Sequence, residues 1–298
     1  PDFCAACHDA DFTDAPMVFM SSWYDPYALS ASENYARLSQ NKTGPVRLVM
    51  GPWTHGQRSV TYAGDVDFGP AATLDGHLAP DYVALRRAWF DRWLKGETTP
   101  EYLKAPVNLF VMGGGSGKRT ADGRMDHGGQ WRAETDWPLP ETVFTSFHLH
   151  ADGGLSSEAA PSGDVAWRHD PANPVPTAGG ALASGAPVMH AGGFDQREAP
   201  NLFGSTVIGR AFVDRDDVVV FQTEPLQEAV EVTGPVIARL SVSSSAVDTD
   251  LMIKLVDVYP PNADYPEGYA LNLTHGVLRL RFRETFEASR LMVPGEVY

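Results

Sequence analysis

Two short apolar runs, each delivering a polar side chain just past its end, constrain this chain more than any other feature. The first is Met17-Val18-Phe19-Met20, followed by Ser21-Ser22-Trp23-Tyr24-Asp25. The second is Val46-Arg47-Leu48-Val49-Met50, followed by Gly51-Pro52-Trp53-Thr54-His55-Gly56. Between them residues 31–39 carry a helix-like pattern, and Asn41-Lys42-Thr43-Gly44-Pro45 forms a turn cluster. A strand, a helix and a second strand in that order predict parallel neighbours joined by a crossover helix. The C-terminal ends of two such strands lie on one edge of the sheet, where open α/β sheets form their ligand sites. This topology can bring Asp25 and His55 within hydrogen-bond reach; the alternative is that each is a cap or surface group, as most single Asp and His residues after strands are. An aspartate there would accept the imidazole N–H and stabilise the imidazolium formed when the ring takes a proton.

Aspartate followed by histidine is also the order in which the last two members of an α/β-hydrolase triad occur along a chain. The nucleophilic serine should precede both. No Gly-x-Ser-x-Gly elbow occurs anywhere in the 298 residues. Gly114-Gly115-Ser116-Gly117 ends on Lys118 where the last glycine is needed, and Met112 and Arg119 break a phosphate-loop reading. A turn is expected there.

Up to residue 104 the pattern is α/β. Residues 81–94 read as a helix, with Val83, Leu85, Ala88, Trp89, Trp93 and Leu94 set apart from Arg86, Arg87, Asp91 and Arg92. Pro80 stands at its start and Gly96 at its stop. From residue 105 the character changes to short β-rich runs at 107–112, 145–150, 218–223, 236–242, 251–259 and 276–282, separated by Gly and Pro turns. That alternation predicts an antiparallel sandwich, with long connections of the kind jelly rolls tolerate at their ends. The expected organisation is residues 1–104 as α/β and 105–298 as all-β.

The flanking motifs carry a resemblance. Ser22-Trp23-Tyr24-Asp25, Gly51-Pro52-Trp53-Thr54-His55 and Trp89-Phe90-Asp91-Arg92-Trp93-Leu94-Lys95-Gly96 are followed by Asp170-Pro171-Ala172-Asn173-Pro174-Val175-Pro176 and Phe194-Asp195-Gln196-Arg197. Glu231-Val232-Thr233-Gly234-Pro235, Ala246-Val247-Asp248-Thr249-Asp250 and Lys254-Leu255-Val256-Asp257-Val258-Tyr259-Pro260 complete the series. In order and spacing the chain resembles the cocaine esterase and X-prolyl dipeptidyl-peptidase group of serine hydrolases, which also holds glutaryl acylases and α-amino acid ester hydrolases. The resemblance implies an α/β-hydrolase domain with an inserted helical cap, then a C-terminal jelly-roll β-sandwich. It puts the triad aspartate on Asp25 and the triad histidine on His55. It places the nucleophile, an oxyanion-hole tyrosine and the cap before Pro1. On this reading the chain is the C-terminal part of a hydrolase, truncated at both ends, and is expected to be inactive as written. The implied chemistry is acyl transfer on a small ester or amide, with no cofactor. Tyr27 is a candidate wall of the acyl pocket, with a packed loop tyrosine as the alternative. Leu182, in the loop 177–183, is the apolar candidate reaching the site from the β-rich part. Trp23 and Trp53 are expected to pack beneath the pair.

Other features point elsewhere or nowhere. Cys4-x-x-Cys7-His8 matches haem attachment and could supply zinc ligands, but no second ligand cluster accompanies it. Two ordinary thiols are the plainer reading. Asp248 and Asp250 fall short of the six to eight oxygens that calcium needs. His148 and His150 share a strand face without a third ligand. A net charge of −15 disfavours nucleic acid, and no apolar stretch approaches the roughly 18 residues of a membrane span. A homodimer stays open. With no secretory signal visible the cytoplasm is favoured, although the first residues read like the interior of a longer chain. The competing class is a non-catalytic jelly-roll module that binds carbohydrate or protein; such a module has no use for a strand-end Asp and His.

Overall fold

The computed structural model describes residues 5–159, 161–183 and 188–298. Its α/β part begins with β1 (Met17–Tyr24), α1 (Ala28–Asn41) and β2 (Val46–Thr54), and β1 and β2 are parallel as expected. Two short strands, β3 (Tyr62–Ala63) and β4 (Val66–Asp67), follow, and then α2 (Tyr82–Lys95). Next come β5 (Val107–Met112), β6 (Met125–Asp126) and β7 (Gly129–Glu134). The main sheet has the order β1-β2-β5-β7, with β5 parallel to β2 and β7 antiparallel to β5. The sheet therefore runs past the boundary expected between residues 104 and 105. A run such as Val107-Asn108-Leu109-Phe110-Val111 suits a central strand of either kind, and only its partner decides which sheet it joins.

Both faces of this sheet are covered. Val46, Leu48 and Met50 of β2 pack with Ala31, Tyr35 and Leu38 of α1 and with Val107, Leu109, Trp137 and Leu139. Val49 points to the other face, against Trp53, Leu74, Leu78, Leu85 and Leu103. Burial on both sides is why β2 reads as a continuous apolar run rather than an alternating one. Helix α2 starts where Asp81 accepts a hydrogen bond from the Ala84 N–H at 2.7 Å and stops at Gly96, whose φ of 76° is the left-handed cap. Its buried stripe differs from the expected one. Leu85 is buried while Val83 and Leu94 are exposed, and Asp91 is buried between Arg87 and Lys95.

The β-rich part holds a small pair, β8 (His148–Leu149) with β9 (Leu155–Ser156), and a long antiparallel hairpin, β10 (Asp250–Tyr259) with β11 (Tyr269–Arg279). Among the described residues, 218–223 and 236–242, expected as strands, join no strand pair beyond one bridge between Gly154 and Gln222 and a backbone pair between Val242 and Tyr298. Their apolar residues, among them Val236 and Ile237, are exposed. Residues 280–282 form a short 3-10 turn rather than the end of a strand.

The two parts meet in one core: Tyr24, Ala63, Val66, Phe68, Phe110 and Met125 pack with Tyr265, Tyr269 and Leu271. Beside it the main chain crosses itself with no side chains between. Gly193 N donates to Ala63 O at 3.0 Å, Asp65 N to Gly193 O at 2.9 Å and Gly180 N to Gly192 O at 2.7 Å. A Cβ on Gly64, Gly179, Gly192 or Gly193 would fall within 2.4–2.5 Å of a neighbouring atom. Only glycine permits that approach.

Candidate active site

The site is built at the ends of β1 and β2. Their rungs run one to one from Met17 opposite Val46 to Ser22 opposite Gly51, and then shift so that Tyr24 faces Thr54. Pro52 and Trp53 thus stand against the single residue Trp23. This bulge advances β2 by one residue, so that Asp25 and His55 each follow the same last rung. Bulges of this kind re-aim side chains beside functional sites. Gly51 makes room for it: a Cβ there would lie 2.3 Å from the Trp53 ring, which folds back over the strand. Trp53 is held by donating its indole N–H to Ala72 O at 2.8 Å, and Trp23 donates to Phe110 O at 2.7 Å. Trp23 packs against the clusters around Phe110 and Trp137, and Trp53 packs with Val49, Leu74 and Leu85 on the other face of the sheet. A tight turn from Thr54 O to Gln57 N, with Gly56 at φ 76°, carries the chain away from His55.

Asp25 Oδ2 lies 3.0 Å from His55 Nδ1. The carboxylate is nearly buried at 6% exposure, and its Oδ1 accepts the Tyr27 N–H at 2.8 Å, which also starts α1. The imidazole side chain is 63% exposed. With Nδ1–H donated to Asp25, the lone pair of Nε2 faces away from the carboxylate and is free to take a proton. Such an arrangement can serve as an oriented general base. The Tyr27 ring stands edge-on to His55, with centroids 5.3 Å apart, and is itself 57% exposed.

Leu182 is partly exposed and lies two residues beyond the bridge between Gly180 and Gly192. Ser116 donates its hydroxyl to Asp126 Oδ2 at 2.7 Å and sits in a turn. Asp250 pairs with Arg279 and Asp248 with Arg281. Among the described residues no group of three or more His, Cys, Asp or Glu could hold a metal. Cys4 lies outside the described residues, so the Cys4-Cys7-His8 motif is described only in part, with His8 in a short 3-10 helix, Ala5–Asp11. Sequence reading passed over Gly51, the bulge it permits, and the hydroxyl of Tyr24, which donates to Asn272 O of β11 at 2.9 Å.

A family model for the X-Pro dipeptidyl-peptidase S15 family matches residues 4–57, which include both members of the pair. A second, for the X-Pro dipeptidyl-peptidase C-terminal non-catalytic domain, matches residues 103–298. The chain belongs to the X-prolyl dipeptidyl-peptidase and cocaine esterase group. Within this group it is 37% identical over 294 residues to cocaine esterase of Rhodococcus sp. (strain MB1 Bresler), a match that covers 95% of this chain and 44% of the esterase. The chain thus spans less than half the length of that relative. Among solved structures it is similar to an aminopeptidase from the marine sediment archaeon Thaumarchaeota archaeon (TM-score 0.67, 25% identity, covering 95% of this chain and 43% of that one). It is also similar to an α-amino acid ester hydrolase (TM-score 0.60, 26% identity, covering 95% and 44%). Members of the group are hydrolases by these names. The S15 match ends two residues after His55, so the catalytic region is present here only in part.

Proposed function

We propose that this chain is the C-terminal part of a serine hydrolase that cleaves a small ester through an acyl-enzyme. The observation that carries the reading is the 3.0 Å contact between a buried Asp25 and an exposed His55 at the shared edge of two parallel strands. In this reading His55 takes the proton of a nucleophilic serine, then returns it to the leaving alkoxide. Asp25 holds the tautomer and balances the imidazolium. The serine and the oxyanion hole belong to a preceding part of the complete protein, in keeping with the 44% coverage of the esterase. Tyr27 walls the acyl side of the pocket and Leu182 approaches it from the β-rich part, which is read as a jelly roll. Esters are favoured over amides because two of the relatives, cocaine esterase and the α-amino acid ester hydrolase, are named for ester cleavage.

The test is hydrolysis of a nitrophenyl ester by the complete protein. His55→Ala and Asp25→Asn are each expected to lower kcat on the order of 10⁴-fold, and residues 1–298 alone to show no turnover. A complete protein indifferent to His55→Ala would sink the hydrolase reading. Turnover by residues 1–298 that His55→Ala abolishes would sink the partial-site reading.

A further inference from the structure

The last rung beneath the pair, Tyr24 opposite Thr54, is tied to the β-rich part by the Tyr24 side chain. Tyr24 is fully buried, and its hydroxyl donates to the main-chain oxygen of Asn272 in β11, 248 positions away in sequence. Asn272 is itself fixed on three sides. Its Oδ1 accepts the Phe194 N–H at 2.7 Å and the Gln196 side-chain amide at 3.2 Å, and its Nδ2 donates to Gly192 O at 3.1 Å. Gln196 is buried and in turn accepts from Lys254 Nζ of β10 at 2.6 Å. Gly193 leaves the space the hydroxyl needs: a Cβ there would sit 3.1 Å from the Tyr24 oxygen.

We propose that the β-rich part positions the catalytic pair through the Tyr24 hydroxyl and Asn272, so that Tyr24 is a positioning residue for the reaction. The inference rests on the hydrolase reading above. The ends of sheet strands have no further rung to hold them and are where local opening begins. Here the final rung carries Asp25 on one strand and His55 on the other, and its position is set from outside the sheet. Catalytic groups must be held to about 0.5 Å, and a displacement of about 1 Å can lower a rate by about 10²-fold. The bond from Tyr24, whose side chain is buried, therefore acts on turnover through the placement of the pair.

The experiment compares kcat and KM for a nitrophenyl ester in the complete protein. Tyr24→Phe, which keeps the ring, is expected to lower kcat by tenfold or more with KM within twofold. Gln196→Leu, which frees Asn272 from the far side, is expected to lower kcat less, and to lower it no further once Phe stands at 24. The control is Tyr269→Phe in the same core cluster, whose buried hydroxyl has no partner among the described residues; it is expected to stay within twofold of wild type. The proposal is overturned if Tyr24→Phe keeps kcat within twofold, if Tyr269→Phe falls as far, or if the Gln196→Leu effect persists in the Phe background. Should Tyr24→Phe not fold, Gln196→Leu alone decides, and an unchanged kcat overturns it. A wild-type protein that does not turn over, or one unaffected by His55→Ala, overturns the hydrolase reading instead.

Discussion

The Glu198 carboxylate shows how one residue can tie stability to pH. It is 1% exposed, and burial alone would push its pKa up. The main-chain N–H groups of Val207 and Thr206 and the guanidinium of Arg210 outweigh that and hold it at about 2, against an ordinary value of 4.5. A carboxylate depressed in the folded state contributes its full stabilisation above its unfolded value. That stabilisation is lost as pH falls through the folded value. Resistance to urea is therefore expected to decline from about pH 4.5 towards pH 2. Glu198→Gln, with no charge to protonate, should flatten that decline and lower stability at neutral pH. Identical pH profiles for the two proteins would refute the assignment. Glu198 carries no sequence signature, because its partners lie in a loop that only the fold closes around it. Asp25 and His55 are the opposite case. Each follows an apolar run at fixed distance, so the strand-helix-strand topology can bring them together, and the bulge after Ser22 completes the alignment. Gly51 was not legible, since the demand for glycine arises from where the Trp53 ring comes to rest.

At the scale of elements, periodicity located both helices and the two strands that carry the pair, because each buries one stripe or both faces in a single core. Gly96 ends α2 at the expected stop, whereas its start is set by Asp81, which caps the first turn, rather than by Pro80. Asp81→Ala is expected to cost about 1 kcal/mol, lowering Tm by roughly 2–4 °C for a chain of this size, as read by thermal unfolding; no shift would mean that the cap is redundant. The stripe of α2 was misplaced for a definite reason. The pattern set Asp91 among polar neighbours, but Arg87 and Lys95, one turn to either side, neutralise it and permit its burial. The β-rich half was least legible. Val236, Ile237 and Leu240 have the composition of a strand, but composition does not supply a partner, and these side chains are exposed.

For the whole molecule, the decisive feature is that its two halves share a core and a main-chain seam rather than a linker. Gly192 has φ of 124°, and a Cβ on it would fall 2.5 Å from main-chain atoms of Ala63 and Gly64. Gly192→Ala combines a disfavoured backbone with a clash that no rotamer relieves. It is expected to destabilise by at least about 2 kcal/mol, seen as a lower urea midpoint with both halves unfolding together. A wild-type midpoint, or separate transitions for the two halves, would contradict the shared seam. The sheet running through residue 104 makes the same point: sequence character changes there, while the hydrogen bonding does not. The seam also sets a rule for chimeras. A β-rich half grafted from a relative brings Gly179, Gly180, Gly192 and Gly193, whereas Gly64 stays with the recipient. A splice between residues 104 and 105 separates them, so compatible parents must be chosen for glycine at all five positions before any surface side chain is considered.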